Sequence, residues 1–223
     1  LRPAILYGVD TRAVEEIHEL ERFLGRDAIF QNSALHLSAQ AAGPKIRWIR
    51  QREPDVWQQT EMIFTGSGYL VYKLTGEQTI DHYTATAYAP LYDVQQRHWS
   101  DVMAEPITPL EKLPRLRWSV EPAGTVTAQA AAETGLAAGT PVITGTADAA
   151  AEALSAGLCQ PGDLMVMYGS SLFFIQKTAK LVATEKLWGA VFLEEGTYAV
   201  AAGMSTSGSL TRWFRDQFAP EER

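Results

Sequence analysis

The stretch of residues 141–176 constrains the fold of this chain more than any other. Residues 141–143 are apolar and predict a short buried strand, and the alanine-rich residues 149–156 predict a helix. Asp148 stands between them, at the carboxyl end of the strand. In open α/β folds ligands bind at that edge of the sheet, so the stretch predicts an acidic residue at a binding site.

A predicted β-hairpin follows this helix, and its turn is rich in hydrogen-bond donors. Two apolar runs, residues 164–167 and 172–175, flank the turn formed by Gly169, Ser170 and Ser171. The backbone N–H groups of such a turn can cradle a phosphate. A carboxylate and a phosphate-sized turn separated by one helix indicate phosphoryl transfer. An ordinary hairpin turn and a helix N-cap are the structural alternatives for the two features.

The rest of the chain alternates predicted strands with predicted helices, which is typical of the α/β class. Apolar residues at spacings of three and four predict an amphipathic helix over residues 13–24, and shorter helices are predicted at residues 45–52, 57–63, 68–74 and 128–133. Further strands are expected at residues 4–9 and 198–202. Residues 31–43 predict a loop, and the glycine and proline of residues 122–125 indicate a boundary. A last helix is predicted from Ser205, with Trp213 and Phe214 in the core.

The composition excludes several functional classes. The 223 residues carry a formal net charge of −7 and no basic run, which argues against a nucleic-acid partner. No apolar stretch reaches the roughly 18 residues of a membrane span, and the first apolar run is too short for a signal peptide. Cys159 is the single cysteine, which predicts a reducing, cytoplasmic compartment. The four histidines lack zinc-site spacing, so no protein metal site is predicted.

Several motifs occur in a consistent order along nearly the whole chain: Gly43-Pro44-Lys45, Leu74-Thr75-Gly76-Glu77, Gly145-Thr146-Ala147-Asp148, Gly169-Ser170-Ser171 and Gly203-Met204-Ser205. Together they resemble the FGGY carbohydrate kinases, and xylulokinase-like members above all. This family belongs to the RNase H-like superfamily of actin-like ATPases and sugar kinases. The resemblance implies two domains with ATP and sugar in the cleft between them.

The resemblance also implies how the chain is divided. Residues 1–158 correspond to the C-terminal part of the N-terminal, sugar-binding domain, and residues 159–223 to the start of the C-terminal, nucleotide-binding domain. The family's Asp-x-Gly-Thr hairpin and its later glycine-rich adenosine motif are missing. The chain therefore resembles the middle of a kinase about twice as long, and we expect this segment alone to turn over slowly or not at all.

The resemblance assigns roles to particular residues. Asp148 corresponds to the general base that acts on the sugar hydroxyl, and the 169–171 turn to a phosphate-binding hairpin of the ATP site. Gln40 corresponds to a side chain that touches the sugar, and Asp10 is assigned a place near it. Ala149 stands where most relatives carry Asn or Gln, which bind a sugar hydroxyl, so the identity of the sugar is left open.

The function that the resemblance implies is ATP-dependent phosphorylation of a sugar or polyol, with a ketopentose such as xylulose as the expected substrate. Mg²⁺ would arrive with ATP, held mainly by phosphate oxygens and water. The implied partners are the sugar and ATP, with a homodimer as one implied assembly. Two alternatives stay open: a noncatalytic binding module derived from a kinase, which Ala149 favours, and an ATPase of the same superfamily without a sugar substrate.

Overall fold

The computed structural model describes residues 3–6, 9–219 and 221, and in them helices alternate with short strands. The helices are α1 (Val14–Leu24), α2 (Arg26–Ser33), α3 (Ala42–Arg52), α4 (Pro54–Gln59), α5 (Gly66–Thr75), α6 (His82–Ala85), α7 (Asp101–Ala104), α8 (Ala128–Thr134), α9 (Asp148–Ser155) and α10 (Gly208–Phe218). The strands are β1 (Thr79–Asp81), β2 (Tyr92–Asp93), β3 (His98–Trp99), β4 (Arg115–Arg117), β5 (Pro122–Thr125), β6 (Pro141–Ile143), β7 (Leu164–Tyr168), β8 (Leu172–Thr178), β9 (Trp188–Val191) and β10 (Tyr198–Met204).

A first hydrophobic core forms where α1, α2 and α3 meet the segments around β2 and β3. Leu20 of α1 and Ile29 of α2 are almost fully buried in it, and Val191 of β9 also belongs to it. Ion pairs on the outside of this core join α1 to α3, with Arg47 bound to Glu19 at 3.0 Å. The amphipathic helix predicted at residues 13–24 is therefore confirmed, with its apolar face toward the core.

The strands form three two-stranded sheets and one sheet of four strands among the described residues. β1 pairs in parallel with β4, and β5 pairs antiparallel with β6. The four-stranded sheet has the antiparallel order β7-β8-β10-β9. In it Tyr168 pairs with Leu172, so the predicted hairpin is confirmed and Gly169, Ser170 and Ser171 form its turn.

A second hydrophobic core joins α9 to the four-stranded sheet. Ala150 and Ala153 of α9 are fully buried there together with Ile175 of β8. Alanine side chains are short, so the helix can approach the sheet closely. Phe192 extends this core toward α6, where its ring meets the ring of Tyr83 edge-on at 6.0 Å between centroids.

Four sequence predictions about local structure are wrong in whole or in part. Residues 3–6 and Val9 form no strand, and Tyr7 and Gly8 of that prediction lie outside the described residues. The first residues of the expected 31–43 loop belong to α2, and its last belong to α3. Residues 122–125 are not a boundary but the strand β5. β6 is not buried, because Ile143 is 54% exposed.

The last helix also differs from the prediction. It begins at Gly208 rather than Ser205, and Trp213 and Phe214 lie on its surface, 52% and 57% exposed. The period of an apolar stripe shows which residues share a face, but it does not show whether another element covers that face. Within the described part of the chain, no helix combines the length and the apolar character that crossing a membrane would require.

Candidate active site

Asp148 occupies the first position of α9, and its side chain is exposed. The residue that caps the helix is Ala147, so Asp148 is not the N-cap itself. Its carboxylate accepts a hydrogen bond at 2.8 Å from the backbone N–H of the next residue, Ala149. A carboxylate is favourable at this end of a helix because it faces the positive end of the helix dipole. The site thus combines a fixed helix start with a carboxylate that an incoming ligand can reach.

The loop between β6 and α9 is anchored on the segment between β4 and β5 before it reaches Asp148. The backbone N–H of Thr144 donates to the carbonyl of Glu121 at 2.9 Å, and that of Gly145 donates to the carbonyl of Ser119 at 3.0 Å. Gly145 has a φ of +73°, a left-handed conformation that glycine adopts without strain. The hydroxyl of Thr146 then donates to the buried carboxylate of Asp81 at 2.8 Å.

The 169–171 turn is exposed and rests on the start of α10. The backbone N–H of Gly208 donates to the carbonyl of Gly169 at 3.0 Å, and the Ser209 hydroxyl donates to the carbonyl of Ser170 at 2.8 Å. These bonds occupy carbonyl oxygens of the turn. Among the described residues, the backbone N–H groups of Ser170 and Ser171 donate no backbone hydrogen bond. Two amides and two hydroxyls of the turn are therefore available to an anion, the arrangement that phosphate-binding turns use.

An open cleft of about 540 Å³ lies beside this turn. Its walls are formed by the turn and by one face of α10, and the lining residues are Gly169, Ser170, Gly208, Ser209, Arg212, Trp213, Asp216 and Gln217. The cleft therefore offers the backbone N–H of Ser170, the guanidinium of Arg212 and the indole ring of Trp213 to a ligand, a set that suits an anionic group attached to a flat aromatic one.

A separate polar cluster surrounds Asp10. Its carboxylate binds the guanidinium of Arg12 through both oxygens, with the shortest contact at 2.7 Å, and these hydrogen bonds lower the pKa of Asp10. Arg12 also lies over the ring of Trp48, 4.8 Å from its centroid. Asp10 therefore acts in this structure as one half of an ion pair, which is the structural alternative to a sugar contact.

Gln40 is exposed, in the turn that leads into α3. Its backbone N–H donates to the Ser38 hydroxyl at 3.2 Å. Five residues later Lys45 is buried, with its ammonium group donating to the carbonyl of Leu6 at 3.1 Å. Burial lowers the pKa of Lys45. Gln40 therefore lies at the surface just before α3, whereas the Lys45 ammonium group inside α3 is partly desolvated.

The second core fixes the relation between the elements that carry Asp148 and the 169–171 turn. α9 begins with Asp148 and buries Ala150 and Ala153 against the sheet whose first two strands form the hairpin. Ala149, between the acid and the core, is half-buried and has no polar side-chain atom. Among the described residues, no group of three or more His, Cys, Asp or Glu side chains is arranged to hold a metal ion.

Comparison with known proteins decides the family. The sequence profile described as "FGGY family of carbohydrate kinases, N-terminal domain" matches residues 1–155. The chain belongs to this family. It is 29% identical over 227 residues to the autoinducer-2 kinase of Yersinia enterocolitica and 28% identical over 228 residues to that of Escherichia coli K12, in each case over 96% of this chain and 41% of the relative.

Solved structures agree with the family. The xylulose kinase of Rhodospirillum rubrum matches with a TM-score of 0.92 and 30% identity, over 99% of this chain and 45% of that one. The Plasmodium falciparum glycerol kinase, solved with ADP, matches with a TM-score of 0.82 at 19% identity, over 94% of this chain and 43% of that one. The fold is therefore the RNase H-like fold of the sugar kinases. The FGGY chain spans less than half the length of these relatives.

Reasoning from the sequence missed several residues of this FGGY chain. Asp81, which follows the Leu74-Thr75-Gly76-Glu77 motif, counted toward the resemblance but was given no role, because nothing local marks a carboxylate that contacts Thr146, 65 residues away. Arg212 was missed because it lies beside the apolar stripe that drew attention to α10. Gly208, three residues after the Gly203-Met204-Ser205 motif, carried a usable signal, because a glycine at a helix start often marks a close approach of two backbones.

Proposed function

We propose that this chain forms part of an ATP-dependent kinase for a sugar or polyol, with Asp148 as the general base and the 169–171 turn as a phosphate site. Family membership supports the reaction class. One structural observation carries the residue assignment: Asp148 remains exposed while the helix that bears it is locked, through Ala150 and Ala153, onto the sheet that bears the turn. A base and a phosphate site must hold a fixed relation for transfer to occur.

In the proposed reaction the main task of the protein is to position the sugar hydroxyl, the base and the phosphates of ATP. The carboxylate of Asp148 takes the proton of a sugar hydroxyl as that oxygen attacks the terminal phosphorus of ATP. The new oxygen–phosphorus bond forms, the bond from this phosphorus to the bridging oxygen breaks, and ADP leaves with the electron pair. A positioned base contributes about 10²–10⁴-fold in rate, and donors such as the amides of Ser170 and Ser171 stabilise the negative charge on phosphate.

Mg²⁺ fits this arrangement as a companion of ATP. Such ions are usually bound by one or two carboxylates together with phosphate oxygens and water. Asp148 supplies one exposed carboxylate, and the described residues contain no cage of three acidic or histidine ligands. The ion would be held mainly by phosphate oxygens and water, and it would neutralise charge on the phosphates.

For the sugar we propose a ketopentose, bound near Gln40 and Asp10. The structural relative with 30% identity is named as a xylulose kinase, which supports this class. Because Ala149 has no hydrogen-bonding side chain, it leaves one sugar hydroxyl to other groups or to water. A second candidate is autoinducer-2, because the curated relatives with 28–29% identity are named as kinases of that compound.

The boundary between sugar-binding and nucleotide-binding parts is proposed at residues 158 and 159. Leu158 is buried in the second core with α9 and the four-stranded sheet. The proposed boundary therefore lies shortly after α9, and the packing of α9 against the four-stranded sheet joins the two parts.

The test is sugar-dependent ADP release by the protein in its full length, screened with ketopentoses, polyols and autoinducer-2. We expect Asp148→Asn to lower kcat by about 10²–10⁴-fold. Glu152→Gln is the matched control, because Glu152 is exposed one turn further along the same helix, and we expect it to stay within twofold. Sugar-stimulated turnover that survives in Asp148→Asn would refute the base assignment. ATP turnover at the same rate without any sugar would favour the ATPase alternative, and binding without turnover the noncatalytic one.

A further inference from the structure

One buried carboxylate, that of Asp81, has no part in the proposed chemistry. Asp81 ends β1 and is only 3% exposed. Its Oδ2 atom accepts three hydrogen bonds: from the backbone N–H of Thr84 at 3.3 Å, from the hydroxyl of Ser119 at 3.1 Å and from the hydroxyl of Thr146 at 2.8 Å. A single oxygen thus joins three segments that are distant in sequence.

The bond to Thr84 is the ordinary N-cap of the short helix α6. An N-cap does not require burial or further donors, and burying a carboxylate is costly unless it is well hydrogen-bonded. Burial raises the pKa of Asp81, while the three hydrogen bonds act in the opposite direction. The two hydroxyl contacts therefore need an explanation beyond the start of α6.

The contact with Thr146 is the shortest of the three and lies two residues before Asp148. Before it, the loop is held by the bonds from Thr144 and Gly145 to the 119–121 segment. After it, the first backbone bond of α9 runs from Ala151 to the carbonyl of Ala147 at 3.2 Å. Between Gly145 and α9, within the described residues, the Thr146 hydroxyl makes the one side-chain bond that ties the loop to a distant segment.

We propose that Asp81 is a positioning residue for Asp148, and that it acts by holding the hydroxyl of Thr146. This inference rests on the proposed function, because it gives Asp148 the role of base. Asp81 fixes the point from which α9 starts, and so the direction in which the Asp148 carboxylate extends. A reacting group must be held within about 0.5 Å of its working position, and an error of about 1 Å can lower a rate by about 10²-fold.

The test uses Thr146→Val in the full-length protein, because valine has nearly the shape of threonine and lacks the hydroxyl. We expect kcat for the sugar to fall by about 10-fold or more while the KM for ATP stays within twofold. Thr146→Ser restores a hydroxyl, and we expect it to recover kcat to within about threefold of the unaltered protein. Ser119→Ala removes another donor from the same oxygen but leaves the Thr146 bond, so its kcat should stay within about threefold.

Combining Thr146→Val with Asp148→Asn distinguishes a positioning role from general destabilisation of the protein. In an Asp148→Asn background we expect Thr146→Val to cause no further loss of residual turnover, because no base remains to be misplaced. Equal losses from Thr146→Val with and without Asp148 would overturn the inference, as would an unchanged kcat in Thr146→Val.

The design distinguishes the two proposals. If Asp148→Asn is inactive while Thr146→Val behaves as the unaltered protein, the role of Asp81 is refuted and the proposed base stands. If Asp148→Asn retains full activity, the proposed base is refuted and the positioning role with it. Thermal unfolding checks that each variant is folded. Should Thr146→Val not fold, Asp81→Asn takes its place with the same expected loss in kcat, since an amide oxygen accepts the Thr146 hydroxyl less strongly than a carboxylate does.

Discussion

Gly208→Ala is the substitution that most directly tests the contact between α10 and the 169–171 turn. A Cβ atom at position 208 would lie 2.3 Å from the carbonyl oxygen of Gly169 and 3.1 Å from its carbonyl carbon. Ordinary contact with that oxygen begins at about 3.4 Å, so helix and turn must separate by about 1 Å. Both groups are backbone, so no flexible side chain can move away to relieve the contact.

A separation of this size breaks the hydrogen bond from the Gly208 N–H to Gly169, which is 3.0 Å long in the structure. Forced overpacking costs about 1–3 kcal/mol, and the turn loses its fixed position. If the turn holds the phosphates of ATP, an error of about 1 Å lowers kcat/KM for ATP by about 10²-fold. KM for the sugar should change little, because Asp10 and Gln40 lie on other elements.

Steady-state kinetics with varied ATP measure this effect, and thermal unfolding measures the stability. Gly66→Ala is the matched control: Gly66 is also the first residue of a helix, has no positive φ and has no atom within 4 Å of the added Cβ. If Gly208→Ala and Gly66→Ala show the same kcat/KM for ATP, the turn does not bind phosphate in the way proposed. If they also show the same unfolding temperature, the close contact itself is refuted.

Two predictions concern stability. Leu20 is fully buried, so Leu20→Ala should lower the free energy of unfolding by about 2–5 kcal/mol. Val102→Ala, at a site 72% exposed, should change it by less than about 0.5 kcal/mol. If chemical denaturation gives equal effects for the two variants, the burial of Leu20 in the first core is refuted. Burial lowers the pKa of His82 below its ordinary 6.5, so the unfolded chain binds a proton at a pH where the folded chain does not, and the free energy of unfolding should fall as the pH is lowered through about 6.5. His82→Gln should weaken this pH dependence, and an unchanged dependence in that variant would show that another group causes it.

The sequence was a good guide wherever local signals agreed with each other. Helix α8 ends at Gly135, whose φ is +79°, and the glycine stop marks that end in the sequence. The hairpin around Ser170 was predictable because two apolar runs flank a short polar turn. The resemblance of ordered motifs supplied the family, which local signals alone would have left open.

The sequence was a poor guide where burial decides the structure. The short apolar run of residues 141–143 predicted β6 as a buried strand, but β6 pairs with β5 in a two-stranded sheet and leaves Ile143 largely exposed. Trp213 and Phe214 share a stripe on α10, as predicted, but that stripe is at the surface. In each case the local pattern shows which residues lie together, and the position of neighbouring elements determines whether they are covered.

By itself the sequence determined the amphipathic helix α1, the helix start at Asp148 and the hairpin turn at 169–171, because each depends on residues that are close along the chain. Only the tertiary structure decided that Asp81 contacts Thr146 and that Gly208 supports Gly169. Those contacts join segments 65 and 39 residues apart. Their energy comes from burial and hydrogen bonding between distant segments, which depend on how the elements pack and are not encoded in any one local pattern.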